Sequence, residues 1–220
     1  MRFLKGLPFR VFATGIVFSS AIAAFAQTEN VVYRFKGGAD GSMPCGGLTY
    51  KNGSLYGTTA GGGTFNAGTV FQLIPPTTAG VPWTKTILYN FTGLDDGGGP
   101  LAALISDDAG NLYGTTTLGG VNATETLGGV VFELSPPATP GGSWNETVLH
   151  SFPANSSDGG APAGDLVFDQ AGNLYGVTSA GGTESALSCG SNGCGTVYQL
   201  QPPTAPGGAW TESVLYSFHS

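Results

Sequence analysis

Outside the first 26 residues, apolar positions along this chain fall in short runs stopped by Gly, Pro, Asn or Asp, with no capped stretch at helical period. Runs with that length and punctuation are the mark of β-strands. The same four runs then occur three times. Leu48, Leu104 and Leu166 centre the first, and the second begins with Leu-Tyr-Gly at 55–57, 112–114 and 174–176. The third reads Gly-x-Val-Phe/Tyr-x-Leu at 68–73, 129–134 and 195–200, and a Pro-Pro pair at 75–76, 136–137 and 202–203 ends it. The fourth runs from Trp83 to Phe91, from Trp144 to Phe152 and from Trp210 to Phe218. Proline lacks the N–H that a ladder needs, so each pair terminates a strand. Between the first and second runs stand Asn52-Gly53, or Ala-Gly-Asn at 109–111 and 171–173. Asn and Gly tolerate the positive φ that a tight hairpin turn demands.

This register predicts an all-β fold of tandem four-stranded antiparallel repeats, at about 31–86, 87–147 and 148–213, with the start of a fourth at 214–220. Four antiparallel strands per repeat is the pattern of a β-propeller blade. Val31 to Phe35 matches the end of a fourth run. The expectation is therefore propeller-like: three blades plus one strand, an incomplete array, because propellers close with roughly four to eight blades. Edge strands left open at its ends would offer a route to self-association.

The first 26 residues follow different rules. Arg2, Lys5 and Arg10 form a basic segment, Val11 to Phe25 is uncharged and apolar, and Ala24-Phe25-Ala26 offers a small-x-small cleavage site. Those are the three parts of a secretory signal peptide, expected to end at Ala26. The apolar run is shorter than the ~20 residues a membrane-crossing helix needs, and no later stretch is apolar enough, so no transmembrane segment is expected after signal removal. Losing the three leader cations leaves four basic residues, Arg34, Lys36, Lys51 and Lys85, against fourteen acids, a net charge of −10. A surface so poor in cations cannot neutralise phosphates, which excludes nucleic acid as a partner and gives no hold on anionic membranes. The 38 glycines and 14 prolines approach a disorder-prone composition, but their fixed offsets make them punctuation between strands.

Candidate chemistry comes from comparing the copies. The spacing from Pro-Pro to Trp and from Trp to Phe is constant, whereas the distance from the Gly-Gly pair to the third-run aromatic grows from 8 residues (Gly63 to Phe71) to 12 (Gly120 to Phe132) and 16 (Gly182 to Tyr198). Loops that take insertions on a fixed scaffold are where recognition resides, although neutral drift at a surface produces the same pattern. The longest of them contains Cys189 and Cys194 around a turn-prone Gly-Ser-Asn-Gly. In an oxidising compartment this pair is a candidate disulfide; the loop offers no further Cys or His for a metal site. Cys45 aligns with Leu101 and Ala163, which predicts a small buried apolar residue. His150 aligns with Tyr89 and Tyr216 and reads as a substitution within a structural strand. Asp40, Asp96 and Asp158, with Asp107 and Asp169, recur at turn positions, so turn chemistry is preferred to a calcium site or a paired-carboxylate catalyst. The three tryptophans are expected to pack between repeats rather than serve as sugar-stacking platforms. No catalytic, cofactor-binding or metal-binding residue is assigned.

The combination Gly-Asn-Leu-Tyr-Gly-x-Thr-x-x-Gly-Gly, Gly-x-Val-Phe-x-Leu, Pro-Pro, Trp and Val-Leu-x-Ser-Phe resembles the GloVer (Gloeo/Verruco) tandem repeat of bacterial surface proteins with a choice of anchor. The resemblance spans about residues 31–220 and implies a bacterial, extracytoplasmic protein, secreted or at the cell surface. It carries no assigned catalytic residues. The expected function is a non-catalytic binding or adhesion scaffold with specificity in the variable loops, whose partner is extracellular carbohydrate or protein. The alternative is a propeller-type polysaccharide hydrolase or lyase with an active site completed by further blades.

Overall fold

The structure, a computed structural model, describes residues 29–121, 123, 128–153, 157–182, 189, 192–205 and 207–219. The expected leader lies outside the described residues. From Val32 onward the chain is one compact unit made of three antiparallel sheets.

The first sheet is a meander of β1 (Thr49–Lys51), β2 (Ser54–Thr59), β3 (Thr69–Ile74) and β4 (Thr84–Asn90). The second has the same order, with β5 (Ile105–Ser106), β6 (Leu112–Thr116), β7 (Val130–Ser135) and β8 (Asn145–Ser151). The third contains β10 (Val167–Phe168), β11 (Leu174–Ala180), β12 (Thr196–Gln201) and β13 (Thr211–Ser217), and β9 (Gly160–Pro162) adds itself to β11. The register repeats as well: Gly57 faces Phe71, Gly114 faces Phe132 and Gly176 faces Tyr198. All three sheets carry an irregularity at one place in the third strand, between Val70 and Phe71, Val131 and Phe132, and Val197 and Tyr198.

That facing pair explains the glycine of Leu-Tyr-Gly. A Cβ on Gly57 would lie 2.8 Å from Cζ of Phe71, and one on Gly114 2.7 Å from Cζ of Phe132; on Gly176 it would strike the Tyr198 hydroxyl. Only a residue without a side chain lets the aromatic ring lie across the neighbouring strand. The turn before it behaves as expected, with Asn52 at φ 48° and Gly53 at φ 79°.

The sheets are joined by borrowed rings. Phe91 and Phe152 each donate their amide to a glycine carbonyl of their own sheet, Gly68 and Gly129, at 3.1 and 2.9 Å. Their rings are fully buried in the next sheet, edge-on to Phe132 at 5.1 Å and to Tyr198 at 5.0 Å. Burying one phenylalanine contributes about 1.5–3 kcal/mol, so each junction is a substantial apolar contact. Tryptophan closes the junction from the other side: Trp144 meets Tyr56 of the preceding sheet at 6.4 Å, and Trp210 packs on the cluster containing Tyr113 and Leu174. Packing between repeats thus holds for these two tryptophans. Trp83, on the first sheet, belongs to neither of the two core clusters.

Two expectations need correction. Val31 to Phe35 forms no strand and pairs with none of the described strands, although Phe35 still meets Phe71 edge-on at 5.1 Å as Phe91 meets Phe132. Cys45 is exposed rather than buried. Leu101 and Ala163, its counterparts, are exposed too, so an apolar match at one loop position did not mark an inward-facing one. Among the described residues no helix is long and apolar enough to cross a membrane.

Candidate functional site

The variable loops open from the Gly-Gly end of the strands, and a cleft of about 570 Å³ lies there between the first and second sheets. Asn66 and Ala67 come from the first variable loop and Ala123 from the second; Leu94 and Asp95 come from the connection between the sheets. Backbone bonds fix its walls: the Gly99 amide donates to the Ala67 carbonyl at 2.8 Å, and the Gly120 amide to the Leu94 carbonyl at 2.8 Å. Within the first loop the Asn66 side chain accepts from the Gly62 amide at 3.2 Å. Among the described residues that line it, Asp95 is the one ionisable side chain; the others offer backbone polar groups and small apolar faces. Most of the third variable loop lies outside the described residues, but its two cysteines, with Cα atoms 5.1 Å apart, form a disulfide, as the sequence suggested.

At the opposite end of the strands the recurring aspartates do structural work. Asp107 accepts from the Asn111 amide at 2.9 Å, the Asn111 side chain at 2.8 Å and the Tyr113 hydroxyl at 3.1 Å. Asp169 repeats this with Asn173 and with the Tyr175 hydroxyl at 3.0 Å, and hydrogen bonds led by that of Asn173 hold its carboxyl below the usual range. These are turn staples, as expected. The tyrosine of Leu-Tyr-Gly is a partner that turn patterns alone do not reveal. A second cleft, of about 460 Å³, lies at this end, with Asp107, Asp169, Phe168 and Trp210 in its lining.

The other three aspartates organise an arrangement that sequence reasoning missed. Asp40 accepts from the Tyr33 hydroxyl at 2.7 Å, and the Lys85 ammonium lies 3.2 Å from it. Lys85 also donates to the Asp40 carbonyl and sits 4.7 Å from the centre of the Phe35 ring and 5.4 Å from that of Phe71. Burial opposes the charge on both groups, yet hydrogen bonds from Tyr33, the Lys36 amide and Lys85 hold the Asp40 carboxyl below its ordinary range. In the second sheet Tyr89 and Thr92 bind Asp96 in the same way, and in the third His150 stands 3.5 Å from Asp158 and edge-on to Phe152. His150 therefore replaces a structural tyrosine, as its alignment suggested; His219 is exposed.

The residue equivalent to Lys85, two positions after the tryptophan, is Glu146 in the second sheet and Glu212 in the third. Burial, with added repulsion from Asp96, pushes the Glu146 carboxyl up to about 7; burial and Asp158 do the same to Glu212. In each, Oε1 is buried without a hydrogen-bond partner. The change from Lys to Glu at a fixed offset was visible in the sequence. Its meaning was not, because the aspartate it faces lies about fifty residues earlier. Among the described residues no group of three or more His, Cys, Asp or Glu side chains is placed to hold a metal ion.

A family described as Gloeobacter/Verrucomicrobia repeat matches residues 10–220. No curated protein matches the chain.

Proposed function

We propose, for a chain that belongs to the Gloeobacter/Verrucomicrobia repeat family, that it is an exported, non-catalytic binding scaffold of propeller-like architecture. Its ligand is an extracellular carbohydrate or protein taken up at the variable-loop end. The observation that carries this reading is the cleft built from Asn66, Ala67 and Ala123 on loops of different length, above sheets whose pairing register does not change. Variation gathered around a concavity is what a recognition surface requires. Export is supported by the charged and apolar parts of residues 1–26 and by the Cys189–Cys194 bond, which persists in an oxidising compartment. Propeller-like stacking is supported by the second and third sheets each taking the preceding sheet's phenylalanine.

The hydrolase or lyase reading draws on Glu146 and Glu212, since carboxyls raised to about 7 suit a general acid. Neither glutamate lines either of the two clefts described above, and a catalytic acid must reach its substrate. The test is a binding screen of the full chain against extracellular polysaccharides and proteins, with a parallel assay for released reducing ends. Leu94→Arg, at a residue 71% exposed on the cleft rim, should weaken the observed binding at least about tenfold, the equivalent of 1.4 kcal/mol, without changing stability. Release of reducing ends that stops on Glu146→Gln or Glu212→Gln would install the enzymatic reading in its place.

A further inference from the structure

The first sheet neutralises Asp40 with a permanent cation, Lys85, whose side chain is only 3% exposed among Tyr33, Phe35 and Phe71. The second and third sheets keep the aspartate and the aromatic rings but replace the cation with a carboxyl. An ionised glutamate there would bring a second negative charge into a half-buried setting, with its Oε1 buried without a hydrogen-bond partner and, among the described residues, no salt bridge to either glutamate. Burying an unpaired charge costs far more than burying the neutral acid. A proton supplies the missing positive charge without altering the chain.

We propose that Glu146 and Glu212 are proton-uptake sites that fasten the second and third sheets to the connections carrying Asp96 and Asp158 under mildly acidic conditions and loosen them as the surroundings turn alkaline. The proposal does not depend on the identity of any ligand.

The groups facing each site define what the proton must answer to. Around Glu146 on β8 they are Asp96 from the connection after β4 and Tyr89 on β4, whose hydroxyl is held by Asp96. Around Glu212 on β13 they are Asp158 from the connection after β8, His150 through Asp158, and the fully buried Tyr198 on β12. No Lys or Arg follows Lys85 in the chain, so none from the second or third repeat can supply the missing charge.

The signs differ between the groups. Glu146 and Glu212 have folded values above the unfolded one near 4.5. Their contribution is complete below pH 4.5 and disappears as pH rises through about 7. His150 acts the other way: burial lowers its value, so its neutral form favours folding above pH 6.5 and that gain is lost under acid. Between pH 5 and pH 8 the two glutamates and the histidine therefore pull in opposite directions, and His150→Tyr separates them.

The experiment is thermal unfolding of the full chain at pH 5, 6, 7 and 8 at constant ionic strength, alongside carboxyl-selective NMR titration. Tm should be highest near pH 5 and fall by several degrees to pH 8. Glu146→Gln with Glu212→Gln copies the protonated state and should abolish that fall. His150→Tyr, which restores the residue of the other repeats, should steepen it, and Lys85→Gln should leave the slope unchanged. A wild-type Tm that is flat or rises to pH 8, a double variant that keeps the wild-type slope, or titration midpoints near 4.5 for both glutamates would each overturn the proposal. The NMR midpoints decide the matter if the double variant does not fold.

Discussion

Phe152 and Phe218 end the same local sequence, Val-Leu-x-Ser-Phe, at 148–152 and 214–218. Both donate their amide to a glycine carbonyl of their own sheet, Gly129 at 2.9 Å and Gly195 at 3.0 Å. Phe152 is nevertheless fully buried against Tyr198, while Phe218 is 43% exposed beside Tyr216. The neighbouring leucines differ in the same sense, Leu149 being buried and Leu215 exposed. Backbone bonding is complete in both places; burial is not, because it is conferred by the following sheet. In this protein the strand belongs to one repeat and the stability of its last residue to another.

The largest test of that difference is truncation. Phe152→Ala should cost about 3–5 kcal/mol, the usual range for emptying a buried aromatic site, whereas Phe218→Ala should cost less than about 1 kcal/mol. Urea unfolding of both variants measures this; equal losses would mean that something covers Phe218 in solution. Next comes a cross-link in the same repeat as Phe218 but away from the junction. Cys189→Ser with Cys194→Ser should cost about 2 kcal/mol, from freeing a short loop in the unfolded chain. If the junction is independent of that loop, the cost should add to that of Phe152→Ala in the triple variant. The smallest effect should have the opposite sign. The Tyr198 hydroxyl is buried without a partner, and the first two sheets place Phe71 and Phe132 there. Tyr198→Phe should therefore stabilise by about 1 kcal/mol, and a loss would show that the hydroxyl has a role in the junction.

Much of this is legible in the sequence. Strand order, turn positions, the packing role of Trp144 and Trp210 and the structural place of His150 all follow from residues that recur at constant offsets, and the disulfide from two cysteines flanking a turn-prone tetrapeptide. What could not be read depended on contacts between repeats or on direction within a loop. Cys45 aligned with apolar residues, yet its loop position faces outward in all three copies. Val31 to Phe35 has strand composition but pairs with none of the described strands, and a strand is defined by its ladder. The Lys85, Glu146 and Glu212 series was plain as a charge change and silent as chemistry, because burial and the opposing aspartate exist only after folding. Tyr33, Tyr89 and His150 show the same limit: their alignment was visible, but the aspartate each one faces became evident only in three dimensions.

The borrowed ring also bears on how such a chain can change over generations. Each junction is made of the end of one unit and the middle of the next. A duplication that copies about sixty residues therefore regenerates an intact junction wherever its breakpoints fall, provided both fall at the same phase. Unequal recombination can lengthen or shorten the gene one whole unit at a time, with no new interface to be invented, while a duplication of only part of a unit can leave a phenylalanine without its receiving sheet.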